Sequence, residues 1–341
     1  MIKLISACVL MLLFLDAFAQ NVKNLVFEGG GIRGIAYAGV VEELQSKGWM
    51  NDVEKVGGTS AGAITALFIS LDYQSSEIEK IISKTAFKEF NDGQYMFIGG
   101  ISRFKETYGW YRHDEFEAWL GKIIEDKTGN SDITFKQLSE KGFRDLYITA
   151  TCLNKQKLLI FSKENYPNMK IKDAVVSSMS IPLYFEAVFI DSVGNRFKEQ
   201  NKDNSLDVVV DGGIIGNYPI FLFDSTYLDS LGHEIRIPNP YTIGVRIDTE
   251  DQIKKDSVDK ELAEMPINDL TSYINAFYSI IIENLNRQQL TDVDWERTIS
   301  VSSVGIGPKI KNLSEEQKTA LVASGRKSCK LFLNSRKKEI N

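Results

Sequence analysis

The sequence predicts an α/β protein with a mainly parallel sheet sandwiched between helices and additional helices toward its C-terminal end. Three stretches predict it. Each reads as a short apolar strand running into a glycine-containing turn: Leu25–Glu28 before Gly29–Gly34, Val53–Val56 before Gly58–Gly62, and Leu206–Val210 before Asp211–Gly213. Helix-like runs, Ile35–Leu44 and Ala63–Leu71, follow the first two turns. Strand, turn and helix in succession is the repeating unit of a parallel sheet covered by helices. With 43% apolar and 25% charged residues, the chain has the composition of an ordinary globular protein with material for a large core.

Of the three turns, Gly58-Thr59-Ser60-Ala61-Gly62 is the most informative. Between a strand and a helix, G-x-S-x-G forms a nucleophile elbow, a sharp turn that lifts the serine hydroxyl clear of the sheet. Gly58 and Gly62 let strand and helix approach without a side chain between them. The run Gly29-Gly30-Gly31-Ile32-Arg33-Gly34 lies ahead of a helix. Its backbone N–H groups and the positive end of the helix dipole make an anion site, and an oxyanion is one anion it can hold. The same run satisfies G-x-G-x-x-G, but a dinucleotide site needs an acidic residue at the end of the second strand, about 20 residues on. Here that strand ends in Gly57-Gly58 and runs into Ser60, so the nucleotide reading fails on its context.

The third turn places Asp211 at a strand's carboxyl end, with Gly212 and Gly213 behind it. A Ser-His-Asp triad needs a histidine, and the chain has two, His113 and His233. Only His233 follows the acid, and no strand leads into its polar surroundings. Both histidines read as surface residues, and a direct Ser60–Asp211 pair suits the composition better.

These three motifs, in this order, resemble the patatin-like phospholipases, whose pattern is a G-G-G-x-R-G oxyanion loop, a G-x-S-x-G elbow and a D-G-[GA] aspartate. Ser177-Ser178-Met179-Ser180-Ile181-Pro182 resembles that family's small-residue-rich helix ending in proline, and Asn217-Tyr218-Pro219 its N-x-P sequence. The resemblance spans Val22 to Phe223. It implies hydrolysis of a lipid or phospholipid ester through an acyl-enzyme, without metal or other cofactor. Ser60 is then the nucleophile, Asp211 the base, and Gly29, Gly30 and Gly31 the oxyanion hole. Gly34, Gly58, Gly62 and Gly212 support the motifs. Arg33 either braces the loop's own carbonyls or meets a phosphate head group. Transient contact with a membrane surface follows from such a substrate. Two other readings stay open: a non-catalytic lipid- or partner-binding protein on the same fold, and an esterase of short-chain esters.

The remaining chain fills in around the site. Residues 1–19 read as a secretory signal peptide, with Lys3, an apolar run Cys8–Leu15 too short to span a bilayer, and an Ala17-Phe18-Ala19 cleavage signal before Gln20. An exported protein is expected. Cleavage leaves Cys152 and Cys329, which are no disulfide framework. A net charge of −6 argues against nucleic acid as a partner. Phe116, Trp119, Leu120, Ile123 and Ile124 have the spacing of a helix on a core. The aromatic cluster Tyr95, Phe97, Phe104, Tyr108, Trp110 and Tyr111 reads as core packing, with an acyl-binding wall or lid as the alternative. Leu146–Leu153 and Lys157–Phe161 form a hairpin, and Ser192–Ser205 a loop. Residues 22–223 make the hydrolase unit. Residues 224–341 add a strand at Thr242–Ile247, a charge-dense linker at Asp251–Glu264, an amphipathic helix from Ile267 to Leu285 and another at Glu315–Leu333, packed on the same core.

Overall fold

A computed structural model describes residues 22–340 apart from 93–99, 202, 204, 259 and 285–286. Tyr95, Phe97 and the leader lie outside these. Five strands form the parallel part of one nine-stranded sheet: β1 (Asn24–Phe27), β2 (Lys55–Thr59), β3 (Asp145–Cys152), β8 (Thr242–Asp248) and β9 (Thr298–Ser302). Antiparallel strands complete it: β4 (Lys157–Phe161), β5 (Val188–Ile190), β6 (Arg196–Phe197) and β7 (Asp207–Asp211). The order is β9-β8-β1-β2-β3-β7-β5-β6, with β4 paired to β3. β1 and β8 are buried at every position, as strands covered on both faces are, and β8 takes Arg246 and Asp248 into the interior with it.

Helices α1 (Tyr37–Ser46), α2 (Ala61–Ser70), α3 (Ser75–Lys84), α4 (Asp114–Thr128), α5 (Ile171–Met179) and α7 (Glu315–Ile340) pack around the sheet and on one another, and α6 (Leu270–Tyr278) packs on the turn that follows it. α2 is buried nearly all round, which its sequence AGAITALFIS permits because it carries no charge. α7 lies along α1, and its Leu321, Cys329 and Leu333 are buried. Gly39 and Gly325 make that approach possible. A Cβ on Gly39 would stand 1.9 Å from the Val322 carbonyl oxygen, and one on Gly325 1.9 Å from that of Ala36.

Three local expectations change. Glu250–Val258 is a helix where charge density suggested a linker. Thr249 Oγ1 accepts from the Gln252 N–H at its start, and Asp256 on its inner face pairs with the buried Arg287. The helix expected from Ile267 to Leu285 is α6 followed by a π-helical turn at Ser279–Asn284, and it leaves Leu270 and Phe277 largely exposed. Within the expected loop Ser192–Ser205, Arg196–Phe197 pairs with β5. Among the described residues no helix is long and apolar enough to cross a membrane.

Candidate active site

The central strand β3 brings Ser60 and Asp211 together. Thr59, the last residue of β2, pairs with Thr149 on one edge of β3. Asp211, the last residue of β7, pairs with the next residue, Ala150. β4 occupies the other edge, opposite both, so β2 and β7 share an edge and meet end to end. β7 runs antiparallel to β3. Serine and aspartate thus stand at the carboxyl ends of their strands, as expected, but arrive from opposite directions. The Thr59 hydroxyl fastens the junction by donating to the Gly216 carbonyl at 2.8 Å.

Ser60 has φ 54° and ψ −122°, a conformation L-residues rarely adopt, at the N-terminal end of α2. Such strain marks a turn that the surrounding structure over-determines. Gly58 and Gly62 permit it: a Cβ on Gly58 would lie 2.5 Å from the Gly62 carbonyl, and one on Gly62 2.3 Å from the Phe27 carbonyl oxygen. Gly212 fits equally tightly against the Thr149 carbonyl.

Asp211 is 2% exposed. Burial raises its pKa to about 6, against the opposing pull of the Gly213 N–H, which donates at 2.8 Å, and of the nearby Ser60 hydroxyl. The Ser60 hydroxyl itself donates to the thioether sulfur of Met179 at 3.3 Å. A carboxylate titrating near neutrality is a far better match to a serine proton than an ordinary aspartate.

The glycine loop leads from β1 into a 3₁₀ turn at Gly31–Ala36 and then α1. Its first amide differs from expectation. The Gly29 N–H donates to the Asn217 carbonyl at 3.0 Å, so it is engaged within the protein. Gly30 and Gly31 stand at the open start of the turn, where the first N–H groups have no partner within the helix. Gly31 has φ +55°, and a Cβ there would meet the Pro308 carbonyl oxygen at 2.1 Å. Gly34 packs against the Cβ of Ala61, joining the loop to the elbow. Arg33 is 3% exposed and donates from Nε to the Gly30 carbonyl at 3.0 Å, as a brace would.

Behind the loop lies a buried ionic chain that residue spacing did not reveal. Glu28 accepts from the Ile247 N–H at 3.0 Å and lies 3.7 Å from Arg246, which also pairs with Asp248 at 2.9 Å. Arg287 links Asp248 to Asp256. Burial raises the Glu28 pKa to about 7, chiefly offset by Arg246. Asn217 Nδ2 reaches Glu28 and the Gly29 carbonyl, which gives the N-x-P sequence a structural task. The contributing residues are nearly 220 positions apart in sequence, so no local pattern announces them.

His113 is a further correction. It is 3% exposed, stacked on Phe185 at 5.4 Å, with Nε2 3.0 Å from Ser180 Oγ. His233 is exposed and pairs with Asp229. The imidazoles hydrogen-bond Ser180 and Asp229, not Ser60 or Asp211. The aromatic cluster expected to pack in the core does so only in part: Phe104 packs on Trp110, Tyr111 on Tyr184 and Tyr108 on Phe189, while Tyr108 and Trp110 stay exposed. An apolar cavity opens elsewhere, lined among others by Gly31, Ala61, Met179, Ile64, Phe68 and Trp119. Among the described residues no cluster of three or more His, Cys, Asp or Glu could hold a metal ion.

Comparison with known proteins agrees with this architecture. The patatin-like phospholipase family matches residues 25–224. Uncharacterized protein R571 of Acanthamoeba polyphaga mimivirus is 29% identical over 313 residues, covering 91% of this chain and 93% of that protein. Probable lipid hydrolase 463L of Invertebrate iridescent virus 6 is 27% identical over 205 residues, covering 58% of this chain and 62% of that protein. Among solved structures, VipD from Legionella pneumophila matches with a TM-score of 0.55 at 16% identity, over 93% of this chain and 67% of that one. At that identity the likeness concerns the fold alone. The family match covers more than half of the chain and spans both the glycine loop and the elbow, and the chain belongs to the patatin-like phospholipase family.

Proposed function

We propose that this protein is a lipid acyl hydrolase of the phospholipase A or lysophospholipase type. It cleaves carboxylic esters through a Ser60–Asp211 dyad. The observation that carries the reading is the end-to-end meeting of β2 and β7 on consecutive residues of β3, Thr59 opposite Thr149 and Asp211 opposite Ala150, which brings the strained Ser60 that follows Thr59 to the buried Asp211. Ser60 Oγ attacks the ester carbonyl carbon while its proton passes to Asp211. The oxyanion forms toward the amides of Gly30 and Gly31 and the positive end of the helix beyond them. Asp211 returns the proton to the departing alcohol as the C–O bond breaks. It then takes a proton from water as the water oxygen attacks the acyl carbonyl, and returns it to Ser60 Oγ as the acyl C–O bond breaks, releasing the fatty acid and a free Ser60.

The wall chemistry of the cavity favours a lipid over a short-chain ester. Its lining is almost wholly apolar and includes Ala61 and Met179, beside the nucleophile. Each CH₂ of an acyl chain that reaches this lining contributes about 0.8 kcal/mol. Membrership of the family and the name of the iridescent virus relative support the same substrate class. Export after cleavage near Ala19-Gln20 completes the proposal, on the strength of the leader's composition.

The test is chemical. A fluorophosphonate ester probe should attach to Ser60, located by mass spectrometry of the labelled peptide. Ser60→Ala should stay folded and lose roughly 10⁴-fold or more of ester hydrolysis. An adduct on a different serine, or an unlabelled and inactive wild-type chain, would exclude the dyad.

A further inference from the structure

Three consecutive residues at the end of α5 touch both members of the dyad. Ser178 Oγ accepts the Ser60 N–H at 2.8 Å, and Met179 Sδ lies 3.3 Å from the Ser60 hydroxyl. The Ser180 carbonyl accepts the Asp211 N–H at 2.8 Å. The position of this segment therefore sets where Ser60 and Asp211 stand relative to each other. α5 stops at Met179, and Ser180, tied back by its N–H to the Ser177 carbonyl at 3.3 Å and by its hydroxyl to the Val176 carbonyl at 2.8 Å, takes a further anchor from outside the helix.

His113 supplies that anchor, and the direction of its bond can be deduced. Ser180 Oγ lies 2.8 Å from the Val176 carbonyl, which can only accept. The single hydroxyl proton goes there. Ser180 Oγ is then the acceptor toward His113, and Nε2, at 3.0 Å, must carry a proton. The ring is held by stacking on Phe185. Burial, aided by Arg196, pushes its pKa down to about 3, which keeps it neutral in ordinary buffers.

We propose that His113 is a positioning residue for the dyad: its neutral Nε2–H anchors Ser180, and the Ser178–Ser180 segment holds Ser60 and Asp211 in reacting register. The inference rests on the nucleophile-and-base reading above. It gives the buried histidine a role different from that of a triad member, because it acts through Ser180 and never meets the substrate.

The experiment compares His113→Phe, His113→Gln and Ser180→Ala in the full chain, with fluorophosphonate labelling rate, kcat, KM and thermal stability as readouts. Wild-type labelling at Ser60 comes first, and its absence overturns the dyad reading and this inference with it. Given that labelling, His113→Phe keeps the stacking but loses the donor. It should lower kcat and the labelling rate together on the order of 10–100-fold, with KM within about twofold, as small misplacements of reacting groups do. His113→Gln, whose amide can donate from a similar place, should recover most of that loss. Ser180→Ala should reproduce the Phe phenotype, and the double variant should be little worse than either alone. If His113→Phe does not fold, the Ser180→Ala kinetics decide alone. Wild-type labelling rates in a folded His113→Phe or Ser180→Ala variant overturn the inference, as do additive losses in the double variant.

Discussion

At the scale of single residues, burial of Asp211 couples catalysis and stability with opposite signs. Its folded pKa is raised from 3.8 to about 6, mainly by desolvation. Between these values the native state binds a proton that the unfolded chain does not, so stability falls as pH rises through that window and the loss is complete above it. With Asp211 as the proposed base, activity needs its ionised form and should rise through an apparent pKa near 6. Asp211→Asn keeps an oxygen that can accept the Gly213 N–H and removes the buried charge. It should abolish nearly as much activity as Ser60→Ala while melting at the same or a higher temperature than wild type at pH 8. A smaller decline should persist between pH 4.5 and about 7 from Glu28, whose folded pKa is raised in the same way. Thermal denaturation against pH for both proteins, beside a pH–rate profile, checks the pair of signs. A melting temperature that falls sharply in Asp211→Asn would contradict them.

At the scale of elements, the glycine loop separates two requirements that its sequence merges. Gly30 needs space: a Cβ would meet the Ile247 side chain at 2.7 Å. Gly31 needs conformation as well, with φ +55° and the Pro308 carbonyl in the way. An L-residue in the left-handed region costs about 1–2 kcal/mol before the clash is counted. Gly31→Ala should therefore lower the melting temperature clearly as well as activity. Gly30→Ala should be the milder change in stability, and should still lower kcat about 10²–10³-fold with little change in KM, the effect of losing one oxyanion donor. Equal melting temperatures for the two variants would show that the left-handed turn at Gly31 is not the restraint described.

At the scale of the whole molecule, α7 supports the site from a distance. It packs along α1, which begins where the oxyanion turn ends, and the two backbones approach at Gly39 and Gly325. In an isolated helix Gly325→Ala would gain about 1 kcal/mol. Here its Cβ would overlap the Ala36 carbonyl, and overpacking of that kind costs about 1–3 kcal/mol with no flexible side chain to yield. The clash should win: Gly325→Ala should melt below wild type and release α7 to limited proteolysis. A more stable Gly325→Ala would show the helices free to slide apart. A separate expectation concerns the leader. Natively expressed protein should begin at Gln20 and be found outside the cytosol, by intact mass and N-terminal analysis; a cytosolic chain beginning at Met1 would contradict export.

What the sequence determined by itself was everything carried by local pattern. Strand, glycine turn and helix mark β1 with its loop and β2 with its elbow, because backbone sterics demand glycine at those close approaches. The hairpin of β3 and β4, α4 and α7 were equally legible from the period of their apolar residues. Tertiary structure decided what depends on non-local partners. His113 looked like a surface residue because one histidine among charged neighbours has no periodic signal, yet Phe185 and Ser180 enclose it. Glu250–Val258 looked like a linker because its charges are visible locally and Arg287, which neutralises one of them, is not. The Gly29 amide looked available until Asn217 claimed it. Above all, the sequence names Ser60 and Asp211, but their meeting requires β2 and β7 to share one edge of β3 from opposite directions. Strand pairing across about 150 residues is a property of the closed sheet, and no window along the chain contains it.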